Sequence, residues 1–78
     1  MLEYWTVENT GWSGGISWFQ TGGTDANPLR FESKYEAMEY LLAEKEELNL
    51  DTTQWRIVHT TFERKENREV TTRVWTII

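Results

Sequence analysis

The pattern of apolar and polar positions divides the chain into β-prone ends and a helical middle. Leu2-Glu3-Tyr4-Trp5-Thr6-Val7-Glu8 is rich in aromatic and β-branched residues and runs into Asn9-Thr10-Gly11-Trp12-Ser13-Gly14-Gly15, a strand meeting a turn. Ile16-Ser17-Trp18-Phe19-Gln20 reads as a return strand, so residues 2–20 are expected to form a β-hairpin with a glycine-rich connection. Thr21-Gly22-Gly23-Thr24-Asp25-Ala26-Asn27-Pro28 follows as an irregular surface loop, marked by its glycines and by the single proline of the chain.

Ser33-Lys34-Tyr35-Glu36 fits the S-x-x-E capping box, in which serine and glutamate satisfy each other's free backbone amides, and a helix should start there. Met38, Leu41, Leu42 and Leu48, with Ala37 and the stem of Lys45, recur at three- and four-residue spacing and predict one apolar stripe. The helix should end near residues 47–49, where Asn49-Leu50-Asp51-Thr52 supplies turn chemistry. From Gln54 the period becomes two, with Trp55, Ile57, His59 and Thr61 on one face and Arg56, Val58, Thr60 and Phe62 on the other. Lys65-Glu66-Asn67-Arg68 is a polar turn, and residues 70–78 are the most β-prone segment of the chain. The order is ββαββ, with a short extra strand allowed at residues 29–32. The expected fold is a single α+β domain over residues 1–78, one helix laid on one face of a mainly antiparallel four-stranded sheet.

Five tryptophans and no cysteine in 78 residues change this picture in two ways. A chain this short is near the lower limit for a core without a staple, and with no disulfide or thiolate metal site available, aromatic bulk is the natural compensation. Cysteine-free composition fits a reducing cytoplasm. The start of the chain resembles a strand rather than a basic segment followed by an apolar one, so neither a signal peptide nor a membrane span is expected. The net charge of −5 is unevenly spread: residues 1–29 hold three acids and no base, residues 30–51 seven acids and three bases, residues 52–78 three acids and five bases. An acidic middle thus precedes a mildly basic tail.

The motifs that invite catalytic readings do not carry them. Gly11-Trp12-Ser13-Gly14-Gly15 fits G-x-S-x-G, but that elbow works as a strand-to-helix turn in a much larger sheet with acid and histidine partners, and here a strand follows. Gly22-Gly23-Thr24 lacks the following G-K-[ST] of a phosphate loop. His59 is the only histidine, which leaves any zinc site short of ligands; a hydrogen-bonded ring at the core edge explains it. The helix carboxylates lack the loop geometry of a calcium site and read as a solvated face. No enzyme, metal or cofactor is expected.

Two features point to binding. One helix can cover one face of a four-stranded sheet, yet both faces carry large apolar groups: Trp55 and Ile57 against Val58 and Phe62, Val70 and Val74 against Trp75 and Ile77. An uncovered aromatic face implies a partner, a dimer mate or a ligand. The helix in turn presents Glu36, Glu39, Glu46 and Glu47 as a negative ridge able to steer toward a basic protein surface or to imitate a row of phosphates. A tryptophan-bearing N-terminal hairpin, then RFESKYEAMEYL, then WRIVHTTFERK resembles the small accessory proteins of bacteriophages and prophages. The resemblance implies a non-catalytic inhibitor of a host enzyme or of anti-phage defence, as anti-CRISPR proteins are. The expectation is therefore a cytoplasmic protein–protein interaction module contacting a host protein with a basic surface through Trp12, Trp18, Glu36, Glu39, Glu46 and Glu47. Two alternatives stand beside it: a nucleic-acid or nucleoprotein binder using Arg56, Arg64, Lys65 and Arg68 of the basic C-terminal hairpin, and a homodimeric structural protein.

Overall fold

The computed structural model describes residues 2–11, 17–24, 26–48 and 53–78. Its strands are β1 (Leu2–Asn9), β2 (Phe19–Gln20), β3 (Trp55–Lys65) and β4 (Arg68–Ile77), and its helix, α1, spans Lys34–Leu48 between β2 and β3. All strand pairs are antiparallel and the sheet order is β2-β1-β3-β4, so the expected ββαββ architecture is present. The two central strands come from opposite ends of the chain: β1 pairs with β3 from Leu2↔Phe62 to Asn9↔Trp55.

The N-terminal hairpin is slighter than its sequence suggests. The return strand shrinks to Phe19–Gln20 (Ile16, its expected start, lies outside the described residues), because in the register Glu8↔Gln20 and Asn9↔Phe19 the residues before Phe19 fall opposite Thr10 and Gly11, past the end of β1; other segments take the rest of that edge. Thr21 N donates to Val7 O at 2.8 Å, and Phe31 exchanges both backbone hydrogen bonds with Trp5 at 2.8 and 2.9 Å. The strand allowed at residues 29–32 is thus a single bridge at Phe31. The described residues of the excursion between these contacts are tied to one another: Gly23 bridges Pro28, and Thr24 and Asn27 exchange backbone hydrogen bonds of 3.1 Å. Gly23 holds φ +71°, and a Cβ there would lie 2.5 Å from Asn27 O, so the fold-back requires glycine.

Ser33 caps α1 as expected, its Oγ accepting from Glu36 N at 3.2 Å. The buried stripe is narrower than predicted. Ala37 and Leu41 are fully buried and Met38 and Tyr40 flank them, whereas Leu42 is 53 % exposed and Leu48 is exposed as well. One residue turns a helix by about 100°, so with Leu41 aimed at the sheet, Leu42 points along its surface.

Val7, Ala37, Leu41, Trp55 and Ile57 form the core, and Trp5, Phe31, Met38 and Tyr40 pack on it. The helix packs on β1 and β3 and does not reach β4. The tryptophans consequently do both jobs open to them: Trp55 fills the core, Trp5 packs at its margin, and Trp75 stands half exposed on the edge strand. Among the described residues no helix is long and apolar enough to cross a membrane.

The hairpin between β3 and β4 turns through Glu66 (φ 47°) and Asn67 (φ 66°), the two positive-φ residues of a type I′ connection. Asparagine suits such a site and glutamate does not, since its Cβ crowds the backbone there. Replacing Glu66→Asn together with Asn67→Gly should stabilise the fold by about 1 kcal/mol, read as a higher urea midpoint at unchanged m-value.

Candidate interaction surface

Alternation along the strands sends two sets of side chains to opposite sides of the sheet. The helix covers the side of Trp5, Val7, Trp55 and Ile57. The other side is crossed by rows that the register fixes: Tyr4 beside Thr60 beside Arg73, and Thr6 beside Val58 beside Trp75. Thr6, Val58 and Thr60 are buried although no helix lies over them. They are short residues among long ones, and Tyr4, Arg30, Arg73 and Pro28 rise around them as the rim of an open cleft of about 220 Å³.

Next to this cleft Arg56 is held from three directions. Its Nε and Nη2 both reach Glu8 Oε1, at 2.7 and 2.6 Å, and its guanidinium lies 4.1 Å from the ring centre of Trp18 and 5.3 Å from that of Trp75. Both charged side chains are four-fifths buried, so the carboxylate is what makes burial of the cation tolerable. Arg30 stacks on Tyr4 at 4.2 Å. Neither Arg30 nor Arg73 has an ion-pair partner among the described residues, which leaves the open face locally positive on an acidic chain.

The residues singled out in the sequence fall into separate places. Glu36, Glu39, Glu46 and Glu47 are exposed along α1. Trp18 sits over Arg56 on the far side of the sheet, so the structure does not join it to the glutamates in one patch. Trp12, with most of the G-x-S-x-G stretch, lies outside the described residues. Of the basic hairpin set, Arg56 is committed to Glu8; Arg64, Lys65 and Arg68 sit at the hairpin end, with Arg64 paired across the strands with Glu69 and Lys65 Nζ 3.6 Å from Glu63. His59 stacks face to face on Trp5, centroids 4.3 Å apart, and its Nε2 donates to Glu3 Oε2 at 3.1 Å. Among the described residues no three His, Asp or Glu side chains cluster as metal ligands.

Tyr4 and Arg30 were not among the sequence candidates for contact, and Trp75 and Ile77 entered only as apolar bulk on one face of the last strand. The alternation of β4 puts Trp75 and Ile77 on one face. The same alternation carries Arg73, but nothing local announces Arg30, which reaches the cleft only through tertiary pairing. No known protein family, curated protein or solved structure matches the chain.

Tyr40 ties the helix to the loop under it. Its ring packs against Phe31 at 5.2 Å, and burial raises its pKa above the usual value, with the charge and hydrogen bond of Glu44 adding to the effect. The folded state therefore favours the neutral phenol: this contribution to stability is present below about pH 10 and is lost as pH rises through the folded-state pKa. Tyr40→Phe should remove that alkaline loss, seen by urea unfolding between pH 9 and pH 11. Arg56→Lys loses the two-nitrogen grip on Glu8 and the planar stack on Trp18, and should destabilise by about 1–2 kcal/mol with altered near-UV tryptophan dichroism; Arg64→Lys, at the exposed hairpin end, should change neither.

Proposed function

We propose that this chain is a small non-catalytic protein–protein interaction module. The observation that carries the reading is the exposure of Trp75 (52 %) and Ile77 (61 %) on a sheet face that no helix covers, beside an ordered aromatic and arginine cluster, with Leu2 (58 %) exposed at the far end of the same face. Large apolar side chains so exposed on one face are the composition of a binding surface, with aromatic and arginine anchors at its centre. The acidic ridge of α1 lies on the opposite side and acts at longer range, steering approach to a partner with a basic surface. The likeness in size and layout to phage accessory proteins makes a host protein the partner, and inhibition the outcome.

A tagged chain incubated with bacterial lysate should retain one dominant protein at defined stoichiometry. Trp75→Ala with Ile77→Ser should abolish retention, and glutamine at Glu36, Glu39, Glu46 and Glu47 should weaken it and flatten its salt dependence. Retention unaffected by the sheet-face pair would show the open face to be the wrong surface. A second reading has one observation in its favour, Arg30, Arg64 and Arg73 sharing the open face with Tyr4, Phe62 and Trp75, an arrangement suited to stacking single-stranded nucleic acid. Salt-sensitive retention of an oligonucleotide, lost on Arg64→Ala with Arg73→Ala, would favour it.

A further inference from the structure

We propose that the free edge of β4 pairs antiparallel with β4 of a second copy, about a two-fold axis through Thr72. This goes beyond the open face as a binding surface and does not depend on it.

The outer edge of β4 has no neighbour among the described residues, and the strand is regular along its ten residues, pairing one for one with β3 and containing no proline, glycine or lysine. Natural edges are blunted by such residues, by other charges, by bulges or by a covering element; of these β4 carries only the charges of Arg68, Glu69 and Arg73, and α1, the one helix described, stops short of this strand. The direction of its hydrogen bonds follows from one contact. Ile78 N donates to Trp55 O at 3.0 Å, and since ladder bonds alternate, residues 76, 74, 72, 70 and 68 turn their amides and carbonyls inward to β3. Glu69, Thr71, Arg73, Trp75 and Ile77 turn theirs outward.

Side chains select the register. A two-fold axis through Arg73 sets like charges face to face, which is unfavourable. An axis through Thr71 brings Glu69 opposite Arg73 of the second copy, but as solvent-exposed ion pairs that salt screens, and it leaves Val74 against an arginine. An axis through Thr72 places Val70 opposite Val74 of the second copy and Val74 opposite Val70, with Thr72 opposite Thr72 and Arg68 opposite Thr76. No like charges stand directly opposite, the ladder is longer than with the axis at Thr71, and both valines, 38 % and 56 % exposed in the single chain, are shielded. Because the axis is perpendicular to the sheet, both helices fall on one side and both open faces on the other.

The chain has no cysteine, so single replacements report the axis cleanly. Thr72 occupies a non-hydrogen-bonded position of the new ladder, where opposed Cα atoms approach to about 4.5 Å, within disulfide range. Under mild oxidation Thr72→Cys should cross-link to near completion, and Cys at 71 or 73 several-fold less. Sedimentation velocity should give twice the chain mass of 9.3 kDa at micromolar concentration. Thr71→Pro should halve that mass with an unchanged far-UV spectrum, since this proline removes only an outward-facing N–H. Should this variant fail to fold, Val74→Lys tests the same contact from the side chains. A chain monomeric at every concentration, or a dimer untouched by either variant, would overturn the proposal; strongest cross-linking at 71 or 73 would overturn the register. A monomer that still retains a lysate protein through Trp75 would refute this inference while leaving the interaction module standing.

Discussion

The ladder between β1 and β3 joins strands from opposite halves of the chain, and both the packing of α1 and the ordering of Arg56 presuppose it. It sets Val7 beside Ile57 and Asn9 beside Trp55, which builds the apolar floor that Ala37 and Leu41 cover. It also sets Glu8 beside Arg56 on the other side of the sheet. One set of backbone hydrogen bonds therefore assembles the core and the most ordered part of the open face together. Because these pairings are distant in sequence, loop closure must precede any return from them, whereas β3 and β4 pair through a local two-residue turn.

The core itself is small, as the chain length requires, and its economy explains the form of the surface. A helix of four turns spans two strands. With β1 and β3 under α1, β4 is left uncovered and β2 is reduced to two residues supplemented by the chain at Thr21 and Phe31. The molecule is correspondingly elongated, 46 × 25 × 23 Å. Tryptophan contributes on both sides of this division, which reconciles a core of few residues with an aromatic surface.

Period and caps made the strands, the helix and the C-terminal hairpin legible in the sequence. Ser33 announced the start of α1, and the alternation from Trp55 assigned both faces of β3 correctly. What was not legible depended on tertiary pairing. Leu42 has the spacing of a core residue, and only the angle at which α1 meets the sheet turns it outward. Arg56 looks like part of a basic hairpin, but Glu8, 48 residues away, holds it in place between two indoles. Gly22 and Gly23 read as loop residues, whereas the space at Gly23 shows a fold-back in which no side chain fits.

Beyond the pairing of Leu2 with Phe62, β3 and β4 have only each other among the described residues, so Glu63–Lys65 and Arg68–Val70 form a two-stranded arm with no third described strand beside it. Two strands without a packed face are marginal in water. The arm is thus a separate cooperative unit, able to fray while the ladder of β1 and β3 stays closed, and its amides should exchange with solvent by local opening rather than by global unfolding. A partner meeting this edge would have to hold the arm still. Part of the association energy then goes into ordering, which sets a ceiling on affinity and makes the stiffness of a two-residue turn a control on binding at a distance.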